Sequence, residues 1–196
     1  MGFPDTLVLA TGNRHKIEEI RTLLGHSIRW LTQADFPDMP ESVEDGTTFK
    51  ANAIKKAEGV GRFTGLAALA DDSGLCVDAL GGAPGVHSAR YSGGDSADNN
   101  RLLLQHLAHV PDGNRRGRFQ CVVALYRPGL PVLTAEGAVE GHIIQQMRGN
   151  GGFGYDPLFV PEGYEATFAE IQASDKNRLS HRSRALFALK RKLETE

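Results

Sequence analysis

An apolar run, Leu66 to Ala70, reads as a buried strand and ends abruptly at two adjacent carboxylates, Asp71 and Asp72. A second short strand is expected from Leu75 to Leu80, followed by the glycine- and proline-rich turn Gly81 to Gly85. Two like charges this close cannot both stay ionised cheaply. A fold that buries the end of this strand must therefore supply a cation or a shared proton. Asp, Ser and Gly are equally ordinary turn residues, so Asp71-Asp72-Ser73-Gly74 also reads as a solvated turn. The stretch by itself leaves both readings open.

The 196 residues suit one α/β domain spanning 1–196, and a hydrophobic content of 40% is enough for a sizeable core. The formal net charge of -2 gives no broad attraction to nucleic acid or to an anionic membrane. Any phosphate-binding function must be local, built from a few placed residues. Cys76 and Cys121 sit in apolar runs and match no zinc spacing, so reduced buried thiols are expected. No stretch resembles a signal peptide or a membrane span, and a cytoplasmic protein is the expectation. Glycine, at 23 residues, exceeds the usual ~7% and concentrates at Gly81 to Gly94 and Gly149 to Gly154.

Along the chain, Thr6 to Ala10 is a short strand that runs through Thr11-Gly12-Asn13 into a helix. Ile17, Ile20, Leu23 and Leu24 recur there at helical spacing and Gly25 supplies the stop. Residues 27–31 suggest a further strand, and a polar loop follows with the acids Asp35, Asp38, Glu41, Glu44 and Asp45. A helix is expected from Thr47 to Gly61, with Asn52 and Lys56 four apart on one face. Ser96 can cap a helix carrying Leu102, Leu103, Leu107 and Val110, terminated at Pro111. Gly117 to Arg127 and Leu133 to Ile144 read as a hairpin around Pro128-Gly129, and a last helix runs from Ser180 to about Leu193. Strands alternating with helices, with a late hairpin, indicate α/β with a mixed sheet.

Several stretches could carry chemistry. Thr11-Gly12-Asn13-Arg14-His15-Lys16 brings hydroxyl, amide and ammonium donors to a helix start, where a lysine is slightly unfavourable unless an anion binds. His181, Arg182 and Arg184 crowd the first turn of the last helix in the same way, with Lys176 just upstream. Gly149 to Gly154 formally matches Gly-x-Gly-x-x-Gly, but Tyr155-Asp156-Pro157 follows where a dinucleotide fold would open a helix. Backbone approach to a flat ligand, with Phe153 stacking, is the functional alternative to a plain core phenylalanine. His106 and His109 lack a third ligand, and Ser73 is not in a nucleophile elbow. Together, two cation-rich helix starts, paired acids and a glycine-cradled aromatic suit a nucleoside triphosphate with magnesium, an ion that prefers oxygen ligands.

With those residues in view, the chain resembles the inosine/xanthosine triphosphate pyrophosphatase family. Six blocks carry the resemblance in register: Thr11-Gly12-Asn13-x-x-Lys16; Glu44-Asp45-Gly46-Thr47-x-Phe49-x-x-Asn52-Ala53-x-x-Lys56-Ala57; Ala70-Asp71-Asp72-Ser73-Gly74; Gly81-Gly82-Ala83-Pro84-Gly85-x-x-Ser88-Ala89-Arg90-Tyr91; Gly151-Gly152-Phe153-Gly154-Tyr155-Asp156-Pro157; and Lys176-x-x-x-Ser180-His181-Arg182. The resemblance implies a mixed, elongated β-sheet flanked by helices, with two lobes and a central active-site cleft. It implies hydrolysis of XTP, ITP or dITP to the monophosphate and pyrophosphate, with Mg2+ as cofactor and a homodimeric assembly. Asp72 takes the proton-acceptor position, and Glu44 and Asp72 take the magnesium positions, with Asp71 supporting through water at most. Thr11, Gly12, Asn13, Arg14, His15 and Lys16, with Lys56 and Ser73, take substrate positions on the triphosphate side, and Asn52 is a further substrate position. Phe153, Gly154, Tyr155, Asp156, Lys176, His181 and Arg182 take those around the base.

Three other readings compete. A Maf-type nucleotide pyrophosphatase would share the chemistry with a different base preference. A catalytically silent nucleotide-binding module would have little use for Asp72 and Glu44 together. A nucleic-acid-binding protein is disfavoured by the charge balance.

Overall fold

The computed structural model describes residues 2–25, 27–40 and 42–196; Glu41 of the expected acidic loop lies outside them. A strand, Thr6–Leu9 (β1), leads by a short turn into the helix Arg14–Leu24 (α1). Asn13 caps that helix by accepting the Lys16 backbone N–H at 3.2 Å, and Gly25 ends it at φ 86°. The strand Arg29–Thr32 (β2) follows, and then the helix Phe49–Thr64 (α2). Thr48 caps α2 through its hydroxyl, which accepts the Ala51 N–H.

This second helix runs past its expected stop. Gly61 lies inside it, with the Tyr126 ring against that turn, where an added Cβ would stand 2.0 Å from Cδ1. The helix ends instead at Gly65, in the left-handed conformation that glycine adopts without penalty. What reads as two short strands separated by a turn is one strand of ten residues, Ala68–Val77 (β3). Asp71 and Asp72 therefore stand in its interior, and the solvated-turn reading is excluded. Asp and Gly are poor strand formers, so the residues of Asp72-Ser73-Gly74 signal a break that tertiary contacts override.

The helix Ser96–His106 (α3) is capped by Asp95 rather than Ser96, since Asp95 and Asp98 form a reciprocal capping box. The strands Arg116–Tyr126 (β4) and Leu133–Ile143 (β5) match the expected pair closely. The short strand Phe159–Pro161 (β6) and the helices Ala173–Leu179 (α4) and His181–Glu194 (α5) complete the chain. Ser180 therefore ends α4 as well as preceding α5. The sheet order is β2-β1-β3-β4-β5-β6, with β1 parallel to both of its neighbours and β5 antiparallel to β6. β4 and β5 neighbour each other across the link 127–132, too short for a parallel crossover, so they are antiparallel. The result is a mixed six-stranded sheet flanked by helices.

The chain divides into two compact units. One comprises the chain up to Asp72 with Cys121–Gly137 and Arg182–Glu196, and its core joins Leu7, Leu9, Ile20, Leu69, Val123 and Leu189. The other comprises Ser73–Gln120 and Ala138–His181, around Leu75, Leu103, Phe119, Leu158, Phe159 and Phe168. Both cysteines are free thiols. Among the described residues no helix is long and apolar enough to cross a membrane.

Two glycines of α2 are expected to respond with opposite sign. Gly59→Ala, where nothing lies within 4 Å of the new Cβ, should stabilise the protein by about 0.5–1 kcal/mol. Gly61→Val should cost about 1–3 kcal/mol by overpacking against Tyr126. Urea midpoints of the two variants check both signs.

Candidate active site

Because side chains alternate along a strand, adjacent Asp71 and Asp72 point to opposite faces of the sheet. Every residue from Ala68 to Asp72 is buried, so each carboxylate must be neutralised by what packs on its own face.

On one face Asp72 meets the helix α2. Lys56 Nζ donates to Asp72 Oδ1 at 2.9 Å, to Glu44 Oε1 at 2.8 Å and to the Asp71 backbone carbonyl at 2.8 Å. Asn52, one turn earlier on the same helix face, donates from Nδ2 to Asp72 Oδ2 at 3.2 Å. Its Oδ1 accepts the Gly46 N–H at 2.8 Å, and a side chain at Gly46 would collide with that amide. Burial pushes the Asp72 carboxyl above its ordinary value, outweighing the pull of Lys56 and Lys16. Burial also pulls the Lys56 ammonium down, but Asp72, Glu44 and Asp71 together keep it protonated above its ordinary value.

The other face holds Asp71, whose side chain has no exposure. Lys16 from α1 reaches its Oδ1 at 2.5 Å, and Arg182 from α5 donates through Nε to Oδ2 at 3.1 Å. The Cys121 thiol donates to the same oxygen at 2.9 Å, and Arg182 also pairs with Glu19 of α1. Burial alone would raise Asp71, yet Arg182 and Lys16 hold its carboxyl well below the usual range. The Cys121 thiol is pushed well up, by burial first and then by the Asp71 charge. Cys121 and Glu19 carry no sequence signal for this role, since their partners come from distant stretches of chain.

Thr11, Gly12, Asn13, Arg14 and His15 surround the start of α1, with Gly12 to His15 exposed and no acid in the first turn. Thr11 Oγ1 accepts the Asn13 N–H at 3.2 Å. Lys16 leaves this turn for Asp71, so the loop and the Asp71 network are joined through one lysine. Ser73, next to Asp72 in β3, is half-buried.

The residues expected around a base fall mostly in the second unit. Lys176 Nζ donates to Asp156 Oδ2 at 2.6 Å and lies 4.7 Å from the centre of the Phe153 ring. The Phe153 N–H donates to the same carboxylate oxygen at 2.8 Å. Gly152 is required there, since a Cβ would stand 2.1 Å from Asp156 Oδ2. Gly154 takes φ 62°, and its carbonyl accepts from Asn100. Tyr155 turns inward, donating its hydroxyl to the Ser88 carbonyl at 2.9 Å. The His181 ring stacks on Phe119, 4.9 Å between centres, a partner no motif signalled. Arg182, the next residue along, belongs to the first unit and lies against Asp71 and Glu19.

Oxygens of Glu44, Asp72 and the Asp71 carbonyl converge on a single point, held by the Lys56 ammonium. This donor set, two carboxylates and a backbone carbonyl, fits Mg2+, which takes one or two carboxylates and completes its shell with phosphates and water. Among the described residues no group of three or more His, Cys, Asp or Glu is placed to hold a metal by itself.

Comparison with known proteins adds a second line of observation. A Ham1 family model matches residues 7–192. A dITP/XTP pyrophosphatase of Desulforamulus reducens is 50% identical over 185 residues, covering 92% of this chain and 91% of the relative. One from Geobacter sulfurreducens is 51% identical over 187 residues, covering 94% of each. Among solved structures, a HAM1 protein from Coxiella burnetii superposes with a TM-score of 0.87 at 39% identity, covering 97% of this chain and 99% of that one.

The Asp71 network gives a pH-dependent prediction. Its folded-state value is depressed, so its contribution to stability is full above the ordinary carboxylate value and is lost as pH falls through the depressed one. Asp71→Asn should be less stable than wild type at neutral pH by about 3–5 kcal/mol, the cost of breaking a buried pair from one side. The gap should close in acid. Urea midpoints from about pH 7 down to about pH 1 read this, and a gap of constant width would assign the loss to packing instead.

Proposed function

The chain belongs to the Ham1 family, and on that footing we propose that it is a nucleoside-triphosphate pyrophosphatase, hydrolysing the deaminated purine nucleotides XTP, ITP and dITP to the monophosphate and pyrophosphate. The observation that carries the reading is the convergence of Asp72, Glu44 and Lys56 on one point. Relatives named dITP/XTP pyrophosphatase at about half identity over nearly the whole chain support it.

Asp72 is the general base. It takes a proton from the water that attacks the α-phosphorus; the new P–O bond forms as the bond to the bridging oxygen breaks, and pyrophosphate leaves. Burial raises the Asp72 carboxyl towards the working pH, which suits proton abstraction. Asn52 fixes the carboxylate plane. Glu44 and Asp72 would hold Mg2+, which when bound neutralises phosphate charge and orients the reacting groups. The α1 start, Thr11 to Lys16, receives the phosphates through backbone N–H groups and the helix dipole, and Lys56 and Ser73 take the remaining positions on the triphosphate.

Phe153 supplies a stacking face for the base and Lys176 a donor beside it. A donor meets a 6-oxo purine and leaves the 6-amino group of adenine unmatched, a mismatch of the kind that rejects an analogue by ~10⁴ or more. The same reading places a homodimer in the cytoplasm, with light scattering as the check on the assembly.

Asp72→Asn is expected to lower pyrophosphate release by at least about 10²-fold, the scale of general-base catalysis, while nucleotide binding persists. A magnesium-dependent assay across XTP, ITP, dITP, GTP, ATP, dTTP and UTP should favour the first three. Orthophosphate as product, or preference for a pyrimidine, would overturn the assignment.

A further inference from the structure

We infer that Lys56 is an internal counter-cation that closes the metal position in the substrate-free protein, so that the divalent ion enters only as the triphosphate draws Lys56 away. The inference rests on the proposed Glu44 and Asp72 metal pair and adds an order of events to it. An ammonium has three N–H donors, and all three are spent here, on Glu44 Oε1, Asp72 Oδ1 and the Asp71 carbonyl, at 2.8, 2.9 and 2.8 Å. These are the oxygens a divalent cation would need. Two cations cannot share that point, since their repulsion at contact distance is large in a site this buried.

The surroundings distinguish the part that moves from the part that stays. Asp72 Oδ2 is held by Asn52, and Asn52 is itself pinned by the Gly46 N–H. That support is independent of Lys56, so the carboxylate keeps its place when the ammonium leaves. Lys56 sits on a flexible four-carbon stem rising from the same face of α2, so its head can swing while its helix remains fixed. Phosphate oxygens are the acceptors able to replace those it gives up. The lysine thus holds two close carboxylates together, and on substrate binding it becomes a phosphate ligand.

Binding of Mn2+ to the substrate-free full chain, followed by loss of the free-ion electron paramagnetic resonance signal, tests this apart from turnover. Wild type should bind weakly. Lys56→Met and Lys56→Gln should each bind at least about tenfold more tightly, because the competing charge is gone while the carboxylates remain. The melting temperature of both variants should rise with Mn2+ far more than that of wild type. Adding Glu44→Gln to Lys56→Met should abolish the gain. Unchanged or weaker Mn2+ binding in both lysine variants overturns the exchange, as does a folding defect that Mn2+ leaves unrelieved. If Glu44→Gln alone weakens Mn2+ binding while the lysine variants change nothing, the metal pair stands and only the exchange falls. If the double variant binds as tightly as Lys56→Met, the metal pair itself is wrong.

Discussion

Two adjacent carboxylates in the middle of a buried strand form the constraint on which the first unit depends. Removing an ion from water costs several kcal/mol even after relaxation, and β3 buries two side by side. Strand alternation prevents them from sharing one neutralising group, so each face of the sheet must bring its own. Lys56 comes from α2 on one side, and Lys16 and Arg182 come from α1 and α5 on the other. Three helices are thereby tied to one strand by charge, and α1 and α5 also share its apolar core through Ile20, Leu69 and Leu189. A buried pair of this kind adds little net stability over an apolar core. What it supplies is register, since a one-residue slip of β3 would exchange the two acids between faces.

The same alternation divides the labour between the acids. Asp71 has no exposure, is held well below its ordinary value by Arg182 and Lys16, and touches groups that arrange the site. In the proposed reaction it is a positioning residue, acting through Lys16 on the loop that precedes α1. Asp72, pushed the other way by burial and flanked by an amide and an ammonium that can leave, is the acid left to do chemistry. Adjacent residues of identical type thus have opposite titration behaviour, decided by which face each one takes.

The second unit is organised around aromatic packing and one ion pair. Phe119, Phe159 and Phe168 cluster together, and His181 stacks on Phe119. Lys176 and Asp156 pair beside Phe153, with Gly152 giving the backbone room to approach the carboxylate. A glycine-rich stretch that matches a dinucleotide fingerprint by spacing alone is here a cradle for a carboxylate and a ring. The helical context is what separates the two.

The sequence by itself determined the mixed α/β class, the start and stop of α1, the hairpin strands and the reduced thiols. These follow from local periodicity, caps and turn residues, which act over a few positions. The six motif blocks also determined which residues to examine. The tertiary structure alone decided that Asp71 and Asp72 lie inside one strand, since Asp and Gly suggest a break that only packing on both faces overrides. It alone decided that Gly61 is a packing position inside α2 and not its stop, with Tyr126 of a distant strand filling the space a side chain would take. It also placed Arg182 against Asp71 and Glu19, and Cys121 and Phe119 beside their partners. Contacts between residues far apart in the chain are set by how the sheet is ordered, and no local pattern encodes them. Asp71-Asp72 is neither a turn nor one paired site but two sites, one on each face of the sheet.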